Sequence, residues 1–245
     1  MKFAFYITLF SLISIAQAAF SSGKKEITRH HSSKNDRAKH SLATKRSLKS
    51  CYSKAALTMY WIPKEGEKDM LNDGKVVTLN GSKTKALKTS SGSTIAKVSK
   101  TTFEKFQMEG TGLLKNGIMV NLDSGKDEFM KVNRKESPYG LGNDEDNHLV
   151  PWVSVASNDL KKGTKLYIKE LDGLKLPDGK THNGCVRVDD EGWSFGGCQL
   201  DFFVLQFSAY QKLEDMISDK VTVKEKKDCK ILDYVTSSVK KWAVI

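Results

Sequence analysis

Residues 186–204 read V-R-V-D-D-E-G-W-S-F-G-G-C-Q-L-D-F-F-V, and the two apolar runs in this stretch decide the fold class. Val186 and Val188 alternate with polar residues, while Leu200 to Leu205 form a nearly continuous apolar run. Both patterns are those of buried β-strands, and Gly192, Gly196 and Gly197 mark a loop between them. Each run carries an acid at its end, Asp190 and Asp201. A buried carboxylate costs several kcal/mol unless it is hydrogen-bonded or neutralised, so acids in such runs point to a site.

The spacing D-x-G-x-x-x-x-G-x-x-x-D, formed by Asp190, Gly192, Gly197 and Asp201, resembles the central motif of the three-aspartate domain of lytic transglycosylase A and its relatives. A second block upstream, Val150-Pro151-Trp152-Val153-Ser154-Val155-Ala156 followed by Gly163-Thr164-Lys165-Leu166-Tyr167-Ile168, resembles that family's Pro-led strand and its G-T-x-L-Y-I segment. The resemblance spans about Thr58 to Val235. It implies a double-psi β-barrel that acts on cell-wall glycans, with Asp201 at the position of the acid that then serves as base, and Asp190 as its support. The sequence departs from the pattern at the first aspartate. An ungapped count back from Gly163 lands on Ala156, whereas a loop shorter by one or two residues brings Asp159 or Asn158 to that place.

Working outward, Ala56 to Ile62 reads as an opening strand stopped by Pro63. By the resemblance its aromatics Tyr60 and Trp61 line a substrate groove, and core packing is the other reading. Lys64 to Lys88 is polar, with a short strand at Val76 to Leu79 and an N-glycosylation sequon at Asn80-Gly81-Ser82. Ile95, Val98, Thr102, Phe103 and Phe106 recur at helical spacing and predict an amphipathic helix over Thr94 to Phe106. Gly110 to Leu122 predicts a hairpin turning at Lys115-Asn116. Ser124 to His148 reads as a polar loop whose acidic run, Asp144 to Asp146, lacks calcium-loop spacing. Trp152 and Trp193 stand near the acids and are candidates to cover a pyranose face. Ser208 and Gln211 have capping-box spacing for a further helix. Lys230 to Val235 reads as the last strand.

The first 18 residues hold one Lys, an apolar run and an Ala16-Gln17-Ala18 cleavage pattern, the features of a signal peptide. Residues 19–46 are rich in Ser, Lys, Arg and His, too polar to offset chain entropy, and end in the dibasic pair Lys45-Arg46. They read as a disordered pro-segment that leaves a single domain from residue 47 to 245. The chain carries a formal net charge of +11. The pro-segment accounts for +6 of it and Lys2 for +1, leaving +4 for the domain. Most of the basicity that would argue for nucleic acid therefore lies outside the domain.

All four cysteines, Cys51, Cys185, Cys198 and Cys229, fall in the domain. In an oxidising compartment they imply two disulfides with three possible connectivities. Cys185 to Cys198 would staple the two strands that hold the acids, and Cys51 to Cys229 would tie the ends. No C-x-x-C spacing supports zinc, and the Gly110-Thr111-Gly112 segment lacks the following helix of a dinucleotide site, so no cofactor is implied.

The sequence thus predicts an all-β domain with peripheral helices, secreted and monomeric, with a cell-wall polysaccharide as partner and neither nucleic acid nor membrane after signal removal. Two readings follow. One is a glycan-cleaving enzyme with Asp201 as general acid, Asp190 in support, and Tyr60, Trp61, Trp152, Trp193 and Asp159 around the substrate. The other is a non-catalytic wall-binding or wall-loosening barrel like the expansins.

Overall fold

The chain divides into two units, Met1–Arg46 and Ser47–Ile245. The computed structural model describes residues 48–245 apart from Ser124, residues 143–145 and residues 193–194. The predicted signal peptide and pro-segment, most of the acidic run, and Trp193 lie outside the described residues.

A short 3-10 turn, Ser50–Lys54, leads into β1 (Ala55–Tyr60). Then come β2 (Lys68–Met70), β3 (Val76–Thr78), β4 (Lys85–Lys88), β5 (Thr94–Val98), α1 (Lys100–Glu109), β6 (Thr111–Leu113), β7 (Met119–Leu122) and β8 (Phe129–Lys131). The second half holds β9 (Ser154–Ala156), β10 (Lys165–Lys175), β11 (Thr181–Asp190), β12 (Gln199–Phe203), α2 (Phe207–Leu213), β13 (Lys220–Val221), β14 (Val223–Glu225) and α3 (Ser237–Ala243).

Seven of these strands form one sheet in the order β13-β1-β12-β9-β11-β10-β14. Its two edges are consecutive in sequence. One extended segment, 220–225, pairs through β13 with β1 and through β14 with β10, and Thr222 between them accepts from the Lys169 N–H. The segment closes the sheet into a six-sided barrel and removes both exposed edges. Two parallel pairs, β1 with β12 and β9 with β11, flank the antiparallel contact of β12 with β9, which is the symmetric plan of a double-psi barrel.

Alternation sorts the side chains. Leu57, Val155, Val186, Val188, Leu200 and Phe202 fill the interior, all buried. Phe203 and Leu205 face the other way into a second cluster with Ile62, Met119, Leu141, Leu149 and Val239. Apart from Asp201, the Leu200 to Leu205 run is apolar because this wall is covered on both sides. Burying each such side chain stabilises the fold by roughly 1.5–3 kcal/mol.

The outer cover is a lobe inserted between β1 and β9. It contains the β4–β5 hairpin, α1 and the β6-β7-β8 meander around Leu87, Val98, Phe106, Val120 and Phe129. The predicted hairpin over residues 110–122 is present as β6 and β7. The helix predicted over Thr94 to Phe106 instead begins at Lys100, because Ser99 caps it by accepting from the Thr102 N–H and the preceding Thr-Ile-Ala-Lys-Val pairs with β4. Gly110 ends that helix in the left-handed region at φ 75°, a conformation that costs glycine least. The stretch read as a polar loop holds β8 and the buried Tyr139 and Leu141.

Two further sequence readings fail locally. Gln206, not Ser208, is the N-cap of α2, with no side-chain cap bond, so the capping box does not form. Lys230 to Val235 is not a strand. Its Lys230 carbonyl accepts from the Asn183 side-chain amide, and Tyr234 stacks on His182 and donates to Asn183 Oδ1, so side chains replace a ladder.

The disulfides are Cys51–Cys198 and Cys185–Cys229, with Cα atoms 5.9 and 5.6 Å apart. The predicted pairing assumed that the strands of Cys185 and Cys198 are neighbours. They are not, because β9 lies between β11 and β12. Two strand spacings place those backbones roughly 10 Å apart, beyond the ~7 Å reach of a disulfide.

Candidate active site

The two acids do come together, by a route the sequence does not show. Across four adjacent strands, Thr58 pairs with Asp201, Asp201 with Ala156, and Ala156 with Asp190. The row lies on the outer wall of the barrel, on the face that carries Phe203. On β12, Asp201 alternates with the inward Leu200 and Phe202, so ordinary pleat geometry aims it outward. On β11, Asp190 has the parity of the inward Val186 and Val188. A β-bulge corrects it: Val188 pairs with Val155 and Asp190 with Ala156, two residues against one. The extra residue, Asp189, is buried and held by Arg187 through two bonds, 2.5 and 3.0 Å, and by the Ser154 hydroxyl at 2.5 Å.

Asp201 is partly buried, and its Oδ1 is fully buried with no hydrogen-bond partner among the described residues. Burial first, and the charges of Glu109 and Asp190 next, push its carboxyl up to about 7 against an opposing hydrogen bond from Thr58. Asp190 stays better supplied with donors. Its Oδ2 accepts from the Tyr60 hydroxyl at 3.1 Å and its Oδ1 from the Glu191 N–H at 2.8 Å. Tyr60 packs on Phe203 with ring centroids 5.1 Å apart and reaches from β1 to β11 past Ala156, whose side chain is a single methyl. Burial and the Asp190 and Asp201 charges hold the Tyr60 hydroxyl well above its ordinary value, so it stays a proton donor. Gly142 closes over this end; a Cβ there would collide with the Asp189 carbonyl and stand 3.1 Å from Asp190 Oδ1.

Three other predicted groove residues, Trp61, Trp152 and Asp159, lie elsewhere. Trp152 is 1% exposed in the barrel core. Trp61 is also buried, and its Nε1 donates to Asp69 at 3.1 and 3.2 Å. Asp159 does not join the acids. It accepts from Lys49 at 2.9 Å, from the Tyr52 hydroxyl and from the Cys198 N–H at 3.3 Å, bracing the Cys51–Cys198 bridge. Burial alone would raise its carboxyl, but these donors outweigh it and hold Asp159 below the usual value. Asn158 accepts from the Gly192 N–H at 2.8 Å and so anchors the glycine loop. In the strand register it is Ala156 that stands between the two acids.

Sequence reasoning missed Thr58, Glu109, Lys105 and Asp69. Lys105 and Glu109 have the i,i+4 spacing of a helical ion pair just before Gly110, a signal ordinarily assigned to a solvated face. A depression of about 300 Å³ lined by Lys64, Glu67, Asp69, Gln211 and Trp242 contains neither acid of the row and is separate from it.

No protein-family model matches the chain, and no curated protein matches it. Its fold is similar to those of solved lytic transglycosylases of the MltA type. A membrane-bound lytic murein transglycosylase from Agrobacterium tumefaciens is 12% identical, covering 72% of this chain and 73% of that one, with a TM-score of 0.45. MltA from E. coli is 13% identical over 62% and 66%, with a TM-score of 0.35. An aspartate-to-alanine variant of E. coli MltA in an apo form is 13% identical over 71% and 73%, with a TM-score of 0.38. The barrel assignment itself rests on the strand order and on the closure by residues 220–225.

Proposed function

We propose that the protein cleaves glycosidic bonds of a cell-wall polysaccharide, with Asp201 as the general acid and then the base. The observation that carries this reading is the state of Asp201: a carboxyl raised to about 7, with an unpartnered buried oxygen, in a row with a second acid. A general acid needs a proton at working pH, and a carboxyl raised to about 7 keeps one there. Its proton passes to the leaving glycosidic oxygen as the bond to the anomeric carbon breaks. The resulting carboxylate then takes the proton of the sugar's own hydroxyl as that oxygen closes on the anomeric carbon, giving an anhydro end and restoring the acid. Asp190, held by Tyr60, stabilises the cationic character that develops on the sugar. Murein is the first polymer to test, given the motif resemblance at Asp190 and Asp201. The disulfides and the signal-like leader support action outside the cytosol.

Ala156 favours a second reading, a barrel that binds wall polymer without cleaving it. Mass spectrometry of products from the domain incubated with murein, chitin and β-glucan separates the two. Anhydro-sugar ends support the transglycosylase, new reducing ends a hydrolase that uses water, and intact polymer from a protein that still binds it supports the binding module.

A further inference from the structure

The lysines of the domain are not spread evenly. Residues 161–169, K-K-G-T-K-L-Y-I-K, hold four lysines and no acid, and residues 224–230, K-E-K-K-D-C-K, hold four lysines against Glu225 and Asp228. The barrel lays these two segments side by side. Tyr167 pairs with Lys224, the Lys226 N–H donates to the Lys165 carbonyl at 3.0 Å, and the Lys169 N–H donates to the Thr222 carbonyl at 3.1 Å. Leu166, Ile168 and Val223 fill the interior, so alternation turns Lys165, Tyr167, Lys169 and Lys224 outward. The Cys185–Cys229 bridge pins the end of the second segment to β11, on the other side of β10. Together the segments carry a surplus of +6; with Glu170 and Asp172, next along β10, it is still +4, the surplus of the whole domain.

We propose that this outer face of β10 and β14 is a docking surface for an anionic polysaccharide, separate from the acid row. Lysines elsewhere have partners: Lys49, Lys64, Lys83 and Lys100 each have a carboxylate within 3.6 Å, and Lys105 is buried between Asp69 at 3.2 Å and Glu109 at 2.6 Å. Lys165, Lys169, Lys224 and Lys226 are in no ion pair among the described residues. The acids nearby are engaged by other donors. Asp172 accepts from the Tyr167 hydroxyl at 2.7 Å, Glu170 from the Thr222 N–H at 2.8 Å, and Asp189 from Arg187. Like charges on facing strand positions repel, so the fold holds this face together against its own field, and a polyanion relieves the cost. Tyr167 selects among polyanions. Its partly exposed ring lies over Gly184, where a Cβ would come within 2.7 Å of it, and the Lys226 ammonium stands 5.5 Å from its centre. A ring set among ammonium groups offers a sugar an apolar contact beside its carboxylates or phosphates. The face begins one strand beyond Asp190, where the Gly163 N–H donates to the Val188 carbonyl, and binding there does not depend on cleavage.

The test is calorimetric titration of the full chain with polygalacturonate, with inorganic polyphosphate and duplex DNA as the other polyanions. Replacing Lys165, Lys169, Lys224 and Lys226 together by Gln should weaken polygalacturonate binding by about tenfold or more, because four exposed charge contacts are lost. Replacing Lys88, Lys97, Lys131 and Lys212 by Gln removes the same charge from other exposed positions and should weaken it by less than about twofold. Equal losses in the two variants, or no loss in either, overturn the proposal, since binding then follows net charge or lies elsewhere. Should the first variant not fold, Lys165 and Lys169 are replaced apart from Lys224 and Lys226; each pair should lose part of the affinity, and no loss from either overturns the proposal. Tyr167→Ala should weaken polygalacturonate and leave polyphosphate unchanged. An equal effect on both, or DNA bound as tightly as polygalacturonate by the wild type, means that the face reads charge alone and overturns the assignment to a polysaccharide. If wild-type protein cleaves no polymer, the proposed function fails while the comparison of variants still decides this face.

Discussion

Asp190 and Asp201 pair with the same residue, Ala156, from opposite sides. Their backbones are two strand spacings apart, roughly 10 Å, and the methyl between them leaves room for Tyr60 to reach Asp190. One acid is thereby tied to a phenol while the other keeps an unpartnered oxygen, the asymmetry on which the different roles proposed for them rest.

Asp201→Asn keeps the shape and removes the transferable proton. It should fold, bind glycan and lose cleavage by about 10²- to 10⁴-fold. Asp190→Asn and Tyr60→Phe should cost less, because each alters support and leaves the proton donor in place. Unchanged cleavage by Asp201→Asn would move the acid role to another carboxyl.

The raised Asp201 carboxyl also sets a pH dependence of stability. Its folded value of about 7 lies above an unfolded value of about 3.9, so the native state binds the extra proton in between. The stability linked to that proton is fully present below about pH 4 and is lost as pH rises through 7, a change on the order of 4 kcal/mol. Asp201→Asn should therefore be more stable than wild type at pH 8, and the difference should vanish by pH 4. Urea unfolding at both pH values measures this, and a mutant less stable at pH 8 would contradict it.

Ala156→Asp places a third carboxylate between the two. It should crowd Tyr60 and raise the Asp201 midpoint further, with a loss of stability at pH 7 that is relieved near pH 4, where the acids are protonated. If Ala156 is what disables the site, this variant should cleave more than wild type. Product analysis at pH 5 reads the outcome.

Lys105→Met leaves Asp69 and Glu109 buried with no cation. The expected cost is about 3–5 kcal/mol at pH 7, smaller at pH 4 where the carboxyls take up protons. Denaturation midpoints at the two pH values check this.

Non-reducing peptide mapping should find Cys51 linked to Cys198 and Cys185 to Cys229. The first closes 147 residues of chain, so its removal by a double Cys→Ser change should cost roughly 3–5 kcal/mol if chain entropy dominates.

Much of this was legible from local pattern. Strand β12, the interior set of Val186, Val188, Leu200 and Phe202, and the 110–122 hairpin follow from alternation and turn chemistry, which act over a few residues. The motif spacing also singled out Asp190 and Asp201, because acids in apolar strands violate a local rule. Tertiary structure alone decided who stands beside whom. The insertion of β9 between β11 and β12 fixed the disulfide pairing, and the bulge at Asp189 turned Asp190 onto the outer face. Packing of α1 against the barrel brought Glu109 to Trp61. Nothing within ten residues of Trp61 or Trp152 distinguishes a core indole from a groove indole, since either satisfies the same apolar pattern; only the cover supplied by distant segments settles it. Periodicity reports which face of a strand is apolar, whereas neighbours across a closed barrel depend on strand order. Strand order is a property of the whole chain's path, set by which arrangement buries both faces of β12 and leaves no edge unpaired.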